Sequence, residues 1–236
     1  ILQQYWGYSS FRPMQEDIID SVIDGKDTLA LLPTGGGKSI CFQVPAMAMD
    51  GVCIVITPLI SLMKDQVMHL KKIGIPAAAI FTGMHYNEIE IAYNQAVFGL
   101  LKFLYVSSER LMTDAFIEAL KKMKVCLLAI DESHCISQWG YDFRPPYLKI
   151  AEIRQYIPNT PVMALTATAT PKVVEDIQYR LGFKKNNVFQ TSYERKNLTY
   201  NVIHEADKYG LMYRLFANMN KGSGIVYVRS RKRTKV

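Results

Sequence analysis

Long apolar runs are missing from this sequence. No stretch of its 236 residues approaches the ~18 uninterrupted apolar positions that a membrane helix needs, and no membrane partner is expected. Cysteine is scarce. Cys41, Cys53, Cys126 and Cys135 are the whole set, and no two form a C-x-x-C pair. Neither a zinc site nor a disulfide framework is expected, because three of the four sit in apolar runs where a thiol acts as a small hydrophobe. A reduced, intracellular setting follows, cytoplasm or nucleoid in a bacterium and nucleus in a eukaryote. No basic stretch or cleavage-like site follows Ile1, so no targeting segment is expected and the natural start is expected upstream. Internal repeats and low-complexity tracts are also lacking. Acidic residues are the minority charge, 21 against 28 lysines and arginines, for a net charge of +7. The excess favours a polyanionic partner, although the basic run at 229–235 suits a solvated terminus equally well.

A sizeable core is present: 49% of residues are apolar, enough for one large domain or for one domain and part of another. Apolar runs at 28–32, 52–57, 77–81, 103–106, 125–130 and 162–166 do not alternate with polar positions, as expected of strands buried on both faces of a parallel sheet. Helical stretches lie between them. Residues 14–23 read as a helix, Leu59, Leu62, Met63, Val67 and Leu70 recur at helical spacing before Gly74, and Pro171 opens a helix that Gly182 closes. The expected fold class is α/β, a mostly parallel central sheet flanked by helices, with ligands at the carboxyl ends of its strands. Past Phe189 the character changes. Residues 192–197 read as a linker, 198–203 as a strand, 208–219 as a helix, 221–224 as a turn and 225–228 as a strand. The expected domains are therefore 1–191 and 192–236, the second incomplete, since two strands and a helix cannot bury a core alone.

Two stretches carry chemistry. In the first, Leu29-Ala30-Leu31-Leu32-Pro33 runs into Thr34-Gly35-Gly36-Gly37-Lys38-Ser39 and then a helix-forming segment. Glycines let backbone N–H groups turn onto an anion, and a helix start behind them carries partial positive charge. Lys38 suits β- and γ-phosphates, and the Ser39 hydroxyl suits Mg²⁺. Leu32 departs from the general phosphate-loop pattern, which has glycine there. In the second stretch, the apolar run from Cys126 to Ile130 ends in Asp131-Glu132-Ser133-His134. Asp131 is placed to hold Mg²⁺ through water, and Glu132 to orient and deprotonate a water attacking a γ-phosphate. An acidic pair after a strand is by itself often only a polar loop; the glycine loop upstream decides for chemistry.

Together, T-G-x-G-K-S at Thr34 to Ser39 and D-E-x-H at Asp131 to His134 resemble the superfamily 2 helicases, in which the glycine missing at Leu32 is commonly absent. Two further runs resemble the RecQ family of DNA helicases. They are Phe11-Arg12-Pro13-Met14-Gln15 and Asp131-Glu132-Ser133-His134-Cys135-Ile136-Ser137-Gln138-Trp139-Gly140-Tyr141-Asp142-Phe143-Arg144-Pro145. The resemblance covers nearly the whole chain and implies a RecA-like P-loop domain followed by the start of a second. It implies that Gln15 reads the adenine edge and that Tyr8 and Arg12 stack on or brace the base. Residues Ser137 to Arg144 resemble the aromatic loop that senses single-stranded DNA. Trp139, Tyr141 and Phe143 offer stacking faces there, Arg144 offers a phosphate partner, and base–aromatic stacking is worth ~1–3 kcal/mol per base. The run from Ala164 to Thr170, with Thr166 and Thr168, resembles the motif coupling the ATP site to DNA. Thr57 to Gln66 and Val106 to Leu111 resemble strand-binding motifs that hold phosphates without reading sequence. His134 is expected to bridge nucleotide and DNA loop rather than to ligate a metal, since no second histidine or cysteine pair accompanies it.

The resemblance therefore implies an ATP- and Mg²⁺-dependent 3′→5′ DNA helicase of repair or recombination, acting on single-stranded or forked DNA and expected to be a monomer. The arginines that the family's second motor domain supplies to the γ-phosphate are not in this sequence. Such a finger is worth ~10³–10⁵ in rate, so this chain is expected to bind nucleotide but hydrolyse and unwind weakly. Two alternatives stay open: a superfamily 2 enzyme acting on RNA, and a nucleotide-gated nucleic-acid-binding module that does not unwind.

Overall fold

The computed structural model describes residues 1–140, 142–192, 198–219 and 222–230. The chain divides into two compact units, 1–193 and 194–236.

The first unit alternates helix and strand: α1 (Gln15–Ile23), β1 (Thr28–Leu31), α2 (Lys38–Ala48), β2 (Val52–Ile56), α3 (Ile60–Lys72), β3 (Ala77–Ile80), α4 (Tyr86–Val97), β4 (Phe103–Val106), α5 (Asp114–Leu120), β5 (Val125–Ile130), α6 (Lys149–Ile153), β6 (Val162–Thr166), α7 (Pro171–Arg180) and β7 (Val188–Gln190). All strand pairings are parallel, in the order β3-β4-β2-β5-β6-β1-β7. Three strands end one residue short of the expected ends, at Leu31, Ile56 and Ile80. There the chain leaves the ladder for the loops that carry the site. The seventh strand escaped the sequence reading: three residues are too short to show a period, and their position against β1 is a tertiary fact.

The unbroken apolar runs follow from the pleat. Successive side chains point to opposite faces, and both faces here are covered. Leu29, Leu31, Ile54, Ile56, Leu128 and Ile130 join a core with α4, α5, α6 and α7. Ala30, Cys53, Val55, Leu127, Ala129 and Leu165 join a second core with α1, α2 and α3. The four cysteines are buried in these layers as free thiols. Burial pushes Cys41 and Cys135 up to about 12, which leaves them protonated and unreactive.

The second unit contains α8 (Lys208–Ala217), capped by the Asp207 carboxylate accepting from Gly210 N at 2.9 Å. The expected strands at 198–203 and 225–228 do not form among the described residues. Strands need a ladder partner, and these segments stay exposed, with Val202 100% and Tyr227 90% accessible. Of the expected 192–197 linker, residues 193–197 lie outside the described set. No helix among the described residues is long and apolar enough to cross a membrane.

Candidate functional site

Three loops leave the carboxyl ends of adjacent strands β5, β6 and β1, and this adjacency builds the site. Pairing of Leu31 with Thr166 and of Ile130 with Ala164 sets the three ends side by side.

The loop after β1 is the glycine run. Leu32 N donates to Thr166 O at 3.1 Å, so the loop starts fastened to the end of β6. Gly35 and Gly37 take φ of +78° and +80°, a region that side chains resist. Gly37 is also closely approached: a Cβ there would lie 2.3 Å from Gln15 Nε2. Lys38 opens α2 with its ammonium 3.5 Å from Leu32 O, a long contact that leaves it available. Ser39 follows in the same first turn, and Thr34 is exposed on the loop.

Arg12, just before α1, and Gln15, its first residue, clasp this loop. The Arg12 guanidinium donates to Gly35 O. Gln15 is 4% exposed; its Oε1 accepts from Arg12 N at 2.9 Å, and its Nε2 donates to Gly37 O at 3.2 Å and Gly36 O at 3.4 Å. Both halves of the Gln15 amide are thus engaged with protein, and reading a base requires exchanging these bonds. Tyr8 stands exposed earlier in the same segment.

The loop after β5 carries the acids. Asp131 is 7% exposed; its backbone N–H donates to Ile56 O at 2.8 Å, and its Oδ1 accepts from Glu132 N at 3.0 Å. Burial, and next the charge of Glu132, push the Asp131 carboxyl up to about 6, while Lys38 pulls the other way. Glu132 itself is left-handed, φ +49°, an unusual posture for a residue with a side chain. It swings the carboxylate to 3.3 Å from His134 Nδ1. The same Nδ1 lies 2.9 Å from Thr166 Oγ1. Burial lowers the His134 pKa although Glu132 opposes it, so the ring is neutral near pH 7. With two oxygens facing Nδ1, one a carboxylate, that nitrogen carries the proton. Thr166 Oγ1 also accepts from Thr168 N at 3.1 Å, which closes the turn after β6. Thr168 itself is exposed.

Sequence reasoning missed Tyr147. It is fully buried, and its hydroxyl donates to Asp131 O at 3.1 Å, bracing the acidic loop from behind. Nothing in the sequence aimed a tyrosine at Asp131.

Of the aromatic loop, Ser137 is buried, Gln138 and Trp139 are exposed, and Phe143 and Arg144 are half-buried. Arg144 donates to Pro58 O at 3.1 Å and to Asp142 Oδ2 at 2.9 Å, tying the loop to the end of β2. Tyr141 lies outside the described residues. Nearby, the hydroxyls of Thr57, Ser107, Ser108 and Ser133 are buried with no hydrogen-bond partner among the described residues, all just beyond β2, β4 and β5. Orphaned buried hydroxyls are rare and call for an explanation.

A cavity of about 560 Å³ lies at the opposite, amino ends of the strands, around Asp27, Arg154 and Asn187. It plays no part in this site: the Asp27 carboxylate is consumed by Arg154, at 2.9 Å, and by Val162 N.

Residues 12–177 match the DEAD/DEAH box helicase family. The chain is 42% identical to an ATP-dependent DNA helicase RecQ of Haemophilus influenzae, over 100% of this chain and 38% of that protein. It is 44% identical to the RecQ helicase of Bacillus subtilis, over 98% of this chain and 40% of the relative. The chain thus spans about two-fifths of the length of these curated relatives. Among solved structures, the DUF1998 helicase MrfA superposes with a TM-score of 0.71 at 17% identity, over 99% of this chain and 38% of that one, a likeness of fold alone. A glycine loop, an acidic loop and a threonine turn on three neighbouring strands, within residues matched to one family, place the chain among the DEAD/DEAH box helicases, where it is similar to the RecQ enzymes.

Proposed function

We propose that this chain is the nucleotide-binding motor domain of an ATP-dependent 3′→5′ DNA helicase of the RecQ type, together with the opening of a second motor domain. Residues 1–191 would form the RecA-like ATP-binding domain and 192–236 the linker and first part of the next. The observation that carries this reading is the placement of His134, whose Nδ1 lies 3.3 Å from the Glu132 carboxylate and 2.9 Å from Thr166 Oγ1 while Thr166 O fastens the glycine loop. The three loops thereby form one hydrogen-bonded unit that registers a change at any of them.

ATP is the substrate. Residues Thr34 to Ser39 turn backbone N–H groups toward its phosphates, and Lys38 neutralises the β- and γ-oxygens. Gln15 reads the adenine edge after giving up its bonds to the glycine carbonyls, with Arg12 and Tyr8 bracing the ring. A buried carboxylate raised to about 6 beside a second carboxylate fits a cation, and Ser39 and Asp131 would hold Mg²⁺, Asp131 through water. Mg²⁺, when bound, neutralises charge developing on the phosphate oxygens. Glu132 accepts the proton of the attacking water, and its left-handed backbone aims it. His134 steadies Glu132.

Single-stranded or forked DNA is the proposed partner, held through phosphates by the loops after β2 and β4 and sensed by Ser137, Gln138, Trp139, Phe143 and Arg144. The net charge of +7 favours it. A monomer inside the cell is the proposed working form, with DNA repair or recombination as its setting.

Titration with a fluorescent ATP analogue tests the nucleotide half. Lys38→Ala should weaken Mg²⁺-dependent binding roughly 10–100-fold, the worth of one charge-assisted phosphate contact. Unchanged affinity would remove the loop from the assignment. Parallel titrations with single-stranded DNA and RNA test the other half. Preference for RNA would favour an RNA-directed enzyme instead.

A further inference from the structure

Lys172 occupies the second position of α7, and its ammonium lies 3.1 Å from the centre of the Trp139 ring. The two residues come from different loops of the site. Trp139 follows β5 and the acidic segment, whereas Lys172 follows β6 and the Thr166–Thr168 turn. The backbone beneath Trp139 is tightly held. Ser137 is fully buried, its Oγ accepts from Trp139 N at 3.2 Å, and its carbonyl accepts from Gly140 N at 3.0 Å. Gly140 packs so closely that a Cβ would lie 2.4 Å from His134 O. Trp139 as a residue, by contrast, is 61% exposed. The indole face is the part of this loop that can exchange partners, and a cation sits on it.

The face that attracts an ammonium is the face on which a nucleobase stacks, so the two compete. At an exposed site the cation contact is the weaker of the two, weak enough for a base to displace it. Displacement would also release the start of α7, which continues directly from the turn holding Thr166 against His134.

We propose that Lys172 is a positioning residue: it latches Trp139 in the DNA-free state and is displaced when a base stacks there, so that the β6 turn feels DNA occupancy. This rests on the reading of the Trp139 loop as a DNA-sensing surface. Lys172 is not among the site residues described above, and among the described residues it makes no hydrogen bond or ion pair with the glycine loop or the acids.

The test uses the 236-residue chain with Trp6→Phe, which leaves Trp139 as the single tryptophan, since the sequence has two. Lys172→Ala should increase acrylamide quenching of Trp139 without DNA and tighten oligo-dT binding by roughly 2–5-fold, the factor an exposed cation–π contact represents. Lys172→Arg, which keeps a cation over the ring, should restore both. Lys172 is exposed at a helix start, and equal unfolding midpoints check that all three proteins are folded. Unchanged quenching in Lys172→Ala overturns the latch whatever DNA does. Weaker oligo-dT binding with a shallower salt dependence also overturns it, by making Lys172 a plain phosphate contact. If quenching changes in Lys172→Ala but oligo-dT moves Trp139 emission in none of the three proteins, the DNA-sensing reading of the loop fails instead.

Discussion

The hydroxyl of Thr166 lies 2.9 Å from Nδ1 of His134, across 32 residues of sequence and at the ends of two adjacent strands. This contact joins the acidic loop to the turn after β6, and the Thr166 carbonyl carries the link on to the glycine loop through Leu32 N.

Thr166→Val keeps the shape of the side chain and removes that link. His134 Nδ1 and Thr168 N both lose an acceptor in a buried setting, which should cost roughly 1–3 kcal/mol in urea unfolding. Nucleotide affinity should change less than twofold. In a chain carrying both motor domains, DNA-stimulated ATP hydrolysis should fall on the order of tenfold, equivalent to one such bond in the transition state. Full DNA stimulation in Thr166→Val would show that coupling takes another route.

Asp131 makes the pH dependence specific. Its carboxyl is raised from 3.8 to about 6, so the folded, metal-free protein disfavours the charged form. The folded state then holds a proton that the unfolded state releases between those values, and stability falls as pH rises through that window. His134 works in the opposite direction, since its lowered pKa makes protonation in acid favour unfolding. Asp131→Asn isolates the carboxyl. In EDTA at pH 7.5 it should be more stable than the parent chain by on the order of 2–3 kcal/mol, and the gap should close toward pH 4. A gap independent of pH would contradict the raised value.

Gly37→Ala tests the clasp. The left-handed backbone alone costs a side chain about 1–2 kcal/mol, and the new methyl would strike the Gln15 amide. Loss of both stability and nucleotide binding is expected. Gly74→Ala, with a similar φ but open space around it, should show only the backbone cost.

Asp27→Ala addresses the amino ends of the strands, away from the site. Its ion pair with Arg154 is largely buried, the side chains being 11% and 17% exposed, and it also accepts from Val162 N. Stranding the guanidinium should destabilise the fold by roughly 3–5 kcal/mol. Nucleotide affinity of the folded fraction, measured below the unfolding transition, should be unaffected.

From the sequence alone the α/β alternation and the parallel sheet were legible, and the glycine loop and the acidic loop stood out as the candidate site. These are local properties: both-face burial shows as unbroken apolar runs, and a glycine run before Lys38 and Ser39 needs its chemistry within a few residues. The resemblance of the run from Asp131 to Pro145 supplied the aromatic loop. Tertiary structure decided the rest. The strand order that brings β5, β6 and β1 together, and so His134 to Thr166, depends on pairings between residues far apart, to which no local period is sensitive. The same holds for Tyr147 behind Asp131, for Lys172 over Trp139 and for β7, each set by packing rather than by neighbours in sequence. At 198–203 and 225–228 the apolar pattern was legible but yielded no strand among the described residues, because a strand exists only with a partner to complete its hydrogen bonds.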